Sequence, residues 1–360
     1  MAFQEKHLAS LIKVGVDHGA SDVHIRTNEP PCLRIRGDLV PVQTKNFTLE
    51  DVTDLARILT GKKLEKFTDY NELDGSFDIE GLCRLRFNSF VYNKALGIIL
   101  RIVKTEIPTF DQLGFSSTLK KIALSKRGLV LVTGATGSGK STTLAAMINY
   151  INRKRHAHIV TIEDPIEYVH NQEYSRITQR EIGVDTPNFN AALRAALRQD
   201  PDVILIGEMR DPETISIALK AAETGHLVLS TVHTTDAITT IGRIISMFSP
   251  DEQEDVRKRL AENLKATISQ RMLKGNKKTN VVIAQEIMVN TPGIRECILG
   301  DEPISRINSI IMQGKGKESS GSQSFDQHIM ELYQAGKISK EVATEAATSE
   351  SDFIQKLLIE

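Results

Sequence analysis

Eight consecutive residues constrain this chain more tightly than anything else in it. Gly134, Ala135, Thr136, Gly137, Ser138, Gly139, Lys140 and Ser141 fit the spacing Gly-x-x-x-x-Gly-Lys-Ser/Thr. Glycines in such a loop let the backbone turn so that successive N–H groups point inward at phosphate oxygens, and the helix that follows adds the positive end of its dipole. The geometry requires a buried strand before the loop and a helix after it. Residues 128–133 (GLVLVT) have strand composition, and Leu144, Met147, Ile148 and Ile151 follow at i, i+3, i+4 and i+7. Lys140 is then placed to reach the β and γ phosphates of ATP and Ser141 to ligate Mg²⁺, with Gly134, Thr136, Gly137, Ser138, Gly139 and Thr142 completing the cradle. A glycine-rich turn with an exposed lysine is the bland alternative, and it does not call for this order of elements.

Around the loop the pattern alternates. Further apolar strands are expected at residues 159–162, 203–206 and 227–230. Between the last two lies a punctuated helix, with Asp211 at its N-cap, Pro212 in its first turn and Gly225 just past its end. Strands alternating with helices predict a mainly parallel α/β sheet covered on both faces. Ligands of such sheets collect at the carboxyl ends of the strands. There the sequence places Gly207 and Glu208 after one strand and Glu163, Asp164, Pro165 and Glu167 after another. Gly207 stands where a metal-binding Asp usually sits, so Glu208 has to serve metal, water or both. His226 and His233 bracket the last strand, seven positions apart, and so fall on opposite faces of a regular strand. His233 is the better candidate for a phosphate or subunit contact, and a structural role stays open for each.

The first hundred residues read as a smaller α+β unit. Strands are expected near residues 23–25 and 33–35, with a turn at Arg36-Gly37-Asp38. A capped helix is expected to open at Thr48, with Asp51 three positions on. Residues 82–90 alternate, with Arg84 and Arg86 on one face against Cys83, Leu85 and Phe87 on the other. The domain plan is residues 1–106, a linker at 107–115, an ATPase domain at 116–313, a flexible Gly/Ser-rich connector at 314–324 and a helical tail at 325–360. The 45 basic residues against 46 acidic ones give no bulk attraction to nucleic acid or a membrane surface. Three scattered cysteines suit a reducing compartment, and no apolar run approaches the roughly 18 residues that cross a bilayer. A cytoplasmic protein without membrane insertion is expected.

Four segments in order go beyond generic chemistry: residues 134–143, 161–167, 198–211 and 222–235. Together they resemble the Walker A, Asp-box, Walker B and His-box set of the type II/IV secretion ATPases, and most closely the pilus-retraction group. The resemblance implies a PAS-like N-terminal domain and a RecA-like P-loop domain. It also implies a homo-hexamer that burns ATP with Mg²⁺ to power type IV pilus retraction and twitching motility. The ring would be recruited to the cytoplasmic face of the inner membrane by a pilus platform protein, with a paralogous retraction ATPase as a further partner and no nucleic acid. Arg84, Arg86 and Arg101 fall where the family's small-domain arginines complete the site. Glu208, Glu163 and His233 become catalytic candidates, Ser141 and Glu208 metal ligands, and Asp164, Glu167 and His226 nucleotide contacts. Residues 293–299 depart from the group's retraction motif, which leaves an accessory retraction paralogue as an alternative. A pilus-assembly or secretion ATPase is a second one, although its tetracysteine zinc module cannot be built from three cysteines. A nucleotide-regulated scaffold with little turnover is the alternative of another class, favoured by the missing strand-end Asp.

Overall fold

The structure is a computed structural model that describes residues 3–35, 37–61, 72–103, 106–276, 281–315 and 319–359. Arg36 of the expected turn and residues 316–318 of the expected connector lie outside these. The chain divides into one unit of Met1–Glu106 with Glu167–Val169, and a second of Ile107–Ile166 with His170–Glu360.

The first unit is an antiparallel sheet of β1 (Ala20–Arg26), β2 (Cys32–Ile35), β3 (Asp38–Pro41), β4 (Glu72–Ile79), β5 (Cys83–Tyr92) and β6 (Ala95–Val103), in the order β3-β2-β1-β6-β5-β4. Two helices, Glu5–Asp17 and Leu49–Thr60, supply Leu8, Ile12, Val52, Leu55 and Leu59 to its core. The second helix opens as its sequence predicts. Thr48 accepts from the Asp51 N–H, and the Asp51 carboxylate accepts from the Thr48 N–H. Along β5, Cys83, Leu85 and Phe87 are buried while Arg84 and Arg86 are half-buried on the other face.

The second unit holds β7 (Gly128–Gly134), β8 (His158–Glu163), β9 (Arg176–Glu181), β10 (Val203–Ile206), β11 (Leu227–Val232), β12 (Leu264–Lys274) and β13 (Val281–Val289), in the order β13-β12-β7-β11-β10-β8-β9. All its neighbours run parallel except the β12–β13 hairpin. The unbroken apolar runs have a direct cause. Leu129, Leu131, Val160, Ile162, Ile204, Ile206 and Val228 enter a core on one face, and Val130, Val132, Ile159, Val203, Leu205, Leu227 and Leu229 a core on the other. A strand covered on both faces has no wet side on which to alternate. The helix after β7, Lys140–Asn152, buries more than one stripe for the same reason: Ala145 and Ala146 are inside along with Leu144, Met147, Ile148 and Ile151.

Two expectations about connections change. Within residues 107–115, the stretch read as a linker, Phe110 is buried in the core and stacks on Tyr150 at 4.9 Å, so the segment is a docked turn of the second unit. An apolar ring that finds a core outweighs the Pro and Gly punctuation around it. The described end of the Gly/Ser-rich stretch is also packed. Ser322 is fully buried, and Gln323 and Ile287 exchange two backbone hydrogen bonds of 2.9 Å each. This closes the free edge of β13, where unpaired N–H and C=O groups await a partner. Gly321 must be glycine, because a Cβ would come within 2.5 Å of Thr118 Oγ1 and φ is 82°.

Beyond it the helices Phe325–Gln334, Lys340–Ala346 and Glu350–Ile359 form a small core with Leu273 and Ala284. His328 Nδ1 accepts the Gln285 N–H at 2.9 Å, which requires a neutral ring. Partial burial pulls His328 down to about 4, and His170 likewise. A depressed histidine stabilises the fold fully above its unfolded pKa of about 6.5, and the contribution is lost as pH falls toward the folded value. Thermal unfolding between pH 7 and pH 4 is expected to show stability falling by on the order of 3 kcal/mol per ring. His328→Gln should flatten that dependence.

Candidate functional site

The phosphate loop begins where β7 runs out. At Gly134 φ is 143°, and a Cβ would lie 2.5 Å from Ser138 Oγ and 2.6 Å from the Gln270 carbonyl oxygen, so only glycine fits. Gly137 and Gly139 take φ of 80° and 90°, which completes the turn into the helix at Lys140. Lys140 is buried to 8% exposure, and its ammonium donates to the carbonyls of Gly134 and Ala135, each at 2.9 Å. The loop lines a depression of about 280 Å³ together with Thr235, Gln270, Arg271 and Met272. Among the described residues buried Ser138 Oγ and Gln270 Oε1 have no hydrogen-bond partner, while Gln270 Nε2 donates to Thr143 Oγ1 at 2.7 Å and ties the loop's helix to β12.

The two acidic segments stand at strand ends, as the sequence predicts, and the structure makes those strands, β10 and β8, parallel neighbours. Glu208 is held between Arg210 and His233. Arg210 reaches Oε2 at 2.7 Å, and His233 Nε2 stands 3.3 Å from Oε1. Burial pushes the Glu208 carboxyl up, but the Arg210 hydrogen bond and the charges of His233, Arg210 and Lys140 outweigh it and leave the group below its usual range. Glu208 is therefore an ionised carboxylate within the field of the loop lysine. Glu163 Oε1 accepts from Thr161 Oγ1 at 2.7 Å and from Gln179 Nε2 at 3.2 Å. Asp164 and Glu167 are exposed, and Glu167 belongs with the first unit. A Cβ on Gly207 would find its nearest neighbours at 3.4 Å, an ordinary contact, so lack of space does not explain the missing aspartate.

His226 is a correction. It precedes β11, and its Nδ1 lies 2.8 Å from the Ala221 carbonyl oxygen and 3.1 Å from Thr224 Oγ1. Since β11 and β7 are parallel with Leu227 beside Gly128 and Val232 beside Thr133, this ring lies at the amino edge. At about 3.3 Å per residue it is roughly 20 Å from its own chain's phosphate loop. It closes a helix and does not face the cradle.

In the first unit, Arg84, Arg86 and Arg101 share one face of the sheet. Arg86 stands opposite Arg101 in the β5–β6 register, and Arg101 stands opposite Asp22 in β6–β1. Arg101 Nε donates to Asp22 Oδ1 at 2.8 Å, and Arg84 donates to Ser76 Oγ at 2.8 Å. Burial pushes the Asp22 carboxyl up, yet the hydrogen bonds from Arg101 and Ser21 bring it below its usual range.

Several lining residues escape sequence reasoning. Thr235 follows the noted His233, but Gln270, Arg271 and Met272 come from a strand more than a hundred residues beyond the loop, and no local motif marks them. Arg210 was visible as part of its segment but not as the partner of Glu208.

The type II/IV secretion system protein family matches residues 1–349. The type IV pilus retractation ATPase PilT of Pseudomonas aeruginosa is 42% identical over 350 residues, covering 96% of this chain and 99% of the relative. The type IV pilus ATPase PilU of the same organism is 38% identical, over 95% of this chain and 89% of the relative. A crystal structure of the pilus retraction motor PilT with bound ADP superposes with a TM-score of 0.87 at 39% identity, covering 96% of this chain and 98% of that one.

Gly134→Ala is expected to abolish measurable ADP binding in calorimetry with little loss of helical content. The new methyl collides with Ser138 and Gln270 at the foot of the cradle while the sheet below it is unchanged.

Proposed function

The chain belongs to the type II/IV secretion system protein family, and on that premise we propose that it is the ATP-hydrolysing motor that retracts a type IV pilus, working as a homo-hexameric ring with Mg²⁺. The observation that carries the chemistry is Glu208, an ionised carboxylate set between Arg210 and His233 in the charge field of Lys140. The similarity to PilT along nearly the whole chain carries the biological role.

The loop amides and Lys140 hold the triphosphate. Among the described residues no cluster of three or more His, Cys, Asp or Glu side chains could cage a metal ion. The hard-oxygen donors available, the Ser141 hydroxyl and the Glu208 carboxylate, suit a magnesium ion that arrives with phosphate oxygens. When bound, it neutralises charge on the β and γ phosphates. Glu208 orients the attacking water, and Glu163, fixed by Thr161 and Gln179, is a second carboxylate at the same edge of the sheet. His233 keeps Glu208 in place. Arg84, Arg86 and Arg101 supply positive charge to the departing γ phosphate, and Asp22 holds Arg101 in readiness.

The motor would act at the cytoplasmic face of the inner membrane through a platform protein. Among the described residues no helix is long and apolar enough to cross a membrane. The similarity to PilU, 38% against 42% for PilT, makes the accessory paralogue the second reading.

Glu208→Gln is expected to lower phosphate release by about two orders of magnitude while ADP affinity holds. Arg86→Ala and Arg101→Ala should each cost about three orders of magnitude in turnover. Cells lacking the gene should keep surface pili and lose twitching, and the Glu208→Gln protein should fail to restore it. Loss of the pili themselves would instead indicate an assembly motor.

A further inference from the structure

We propose that Glu286 is a positioning residue for ATP hydrolysis: a buried carboxylate in β13 that pins the loop carrying His233 and Thr235 beside the strand lining the phosphate cradle. The inference rests on the ATPase reading above and concerns a residue in none of the four sequence segments.

Glu286 is 7% exposed and sits opposite Ser269 of β12. Its Oε1 accepts the Ala237 N–H at 2.8 Å and the Ser269 hydroxyl at 3.3 Å. Ala237 is the first residue of the helix Ala237–Ser246, where backbone N–H groups lack partners within the helix. Asp236 already caps this helix, accepting from the Thr239 N–H at 2.8 Å. Glu286 therefore takes a second amide, from outside the helix and across 49 residues of sequence.

Only four residues, His233 to Asp236, separate the end of β11 at Val232 from that amide. The sheet fixes one end of this short span and Glu286 fixes the other. Between them His233 touches Glu208, Thr234 shares a hydroxyl contact of 2.7 Å with Thr240, and Thr235 lines the cradle. A four-residue span held at both ends transmits a shift at Ala237 directly to His233, and misplacements near 1 Å at a reacting group are costly in rate.

A buried carboxylate is an unfavourable choice for holding a sheet together, since an apolar side chain of similar size would do so without desolvation. Among the described residues no salt bridge offsets it. Arg271, two residues along β12 from Ser269, has its guanidinium 4.0 Å over the Phe325 ring and donates to the Ala346 carbonyl at 2.7 Å. The charged or titratable groups facing Glu286 are Asp236 from the helix and Arg271 from β12. Burial, with the Asp236 charge, raises its carboxyl above the usual range, and the Ala237 N–H, Ser269 and Arg271 pull the other way.

The test uses the full-length protein and three variants: Glu286→Ala, Glu286→Gln and Ala237→Pro. Proline is tolerated at the first helical position, so Ala237→Pro removes the accepted N–H and leaves the helix intact. Phosphate release at saturating Mg-ATP and ADP affinity by calorimetry are measured on each. Glu286→Ala and Ala237→Pro should lose about tenfold in kcat with ADP affinity changed less than about threefold, while Glu286→Gln, whose amide oxygen still accepts, stays near wild type. Combining Glu286→Ala with His233→Ala should add little to the loss from His233→Ala alone. Wild-type rates in Ala237→Pro, a parallel fall in ADP affinity, or fully multiplicative losses in the double variant would each overturn the proposal. Absence of turnover in the wild-type protein would instead overturn the ATPase reading, which separates the two.

Discussion

The backbone at Gly134 has no room to be anything else. The Ser138 side chain and the Gln270 carbonyl occupy the space a Cβ would need, and β7 and β12, paired in register at Gly134 and Gln270, keep those groups there. The double-sided core keeps that register. Leu131 and Val132 lie next to each other in β7 yet are buried in different cores, so a slip by one residue would exchange both at once. The electrostatics follow from this. Lys140 lies across the loop, its charge reaches Glu208, and Glu208 draws in Arg210 and His233.

What the sequence made legible was local. The loop, the capped helix at Asp211 and the alternation in β5 all rest on spacings shorter than a dozen residues, and the structure places each as expected. Glu208 and His233 could be assigned to one edge because parallel strands put their carboxyl ends together. What could not be read depends on which strand lies beside which. Nothing near Gln270 announces that β12 pairs with β7, or that its amide will find Thr143. The nucleotide contact expected of His226 came from the resemblance alone, and within its own chain the ring sits at the amino edge of β11, against Ala221 and Thr224.

The segments taken as connectors failed for a related reason. Composition flags Gly, Ser and Pro as punctuation, but composition cannot see a vacant sheet edge or an apolar ring's pocket. Phe110 and Gln323 are held by those tertiary features.

Each of these two segments lies against residues that follow the other in sequence. Gly321 lies against Thr118, and a Cβ on Gly114 would come within 3.2 Å of Lys337 Nζ, so the beginning of the second unit and its C-terminal helices share one corner. In a machine that does work against tension, anchor points determine which bonds are stretched. The C-terminal helices join the sheet through Gln323, so a pull on them would reach the β13 edge at the two hydrogen bonds Gln323 exchanges with Ile287. The nucleotide loop follows β7, with all of β12 between it and that pair.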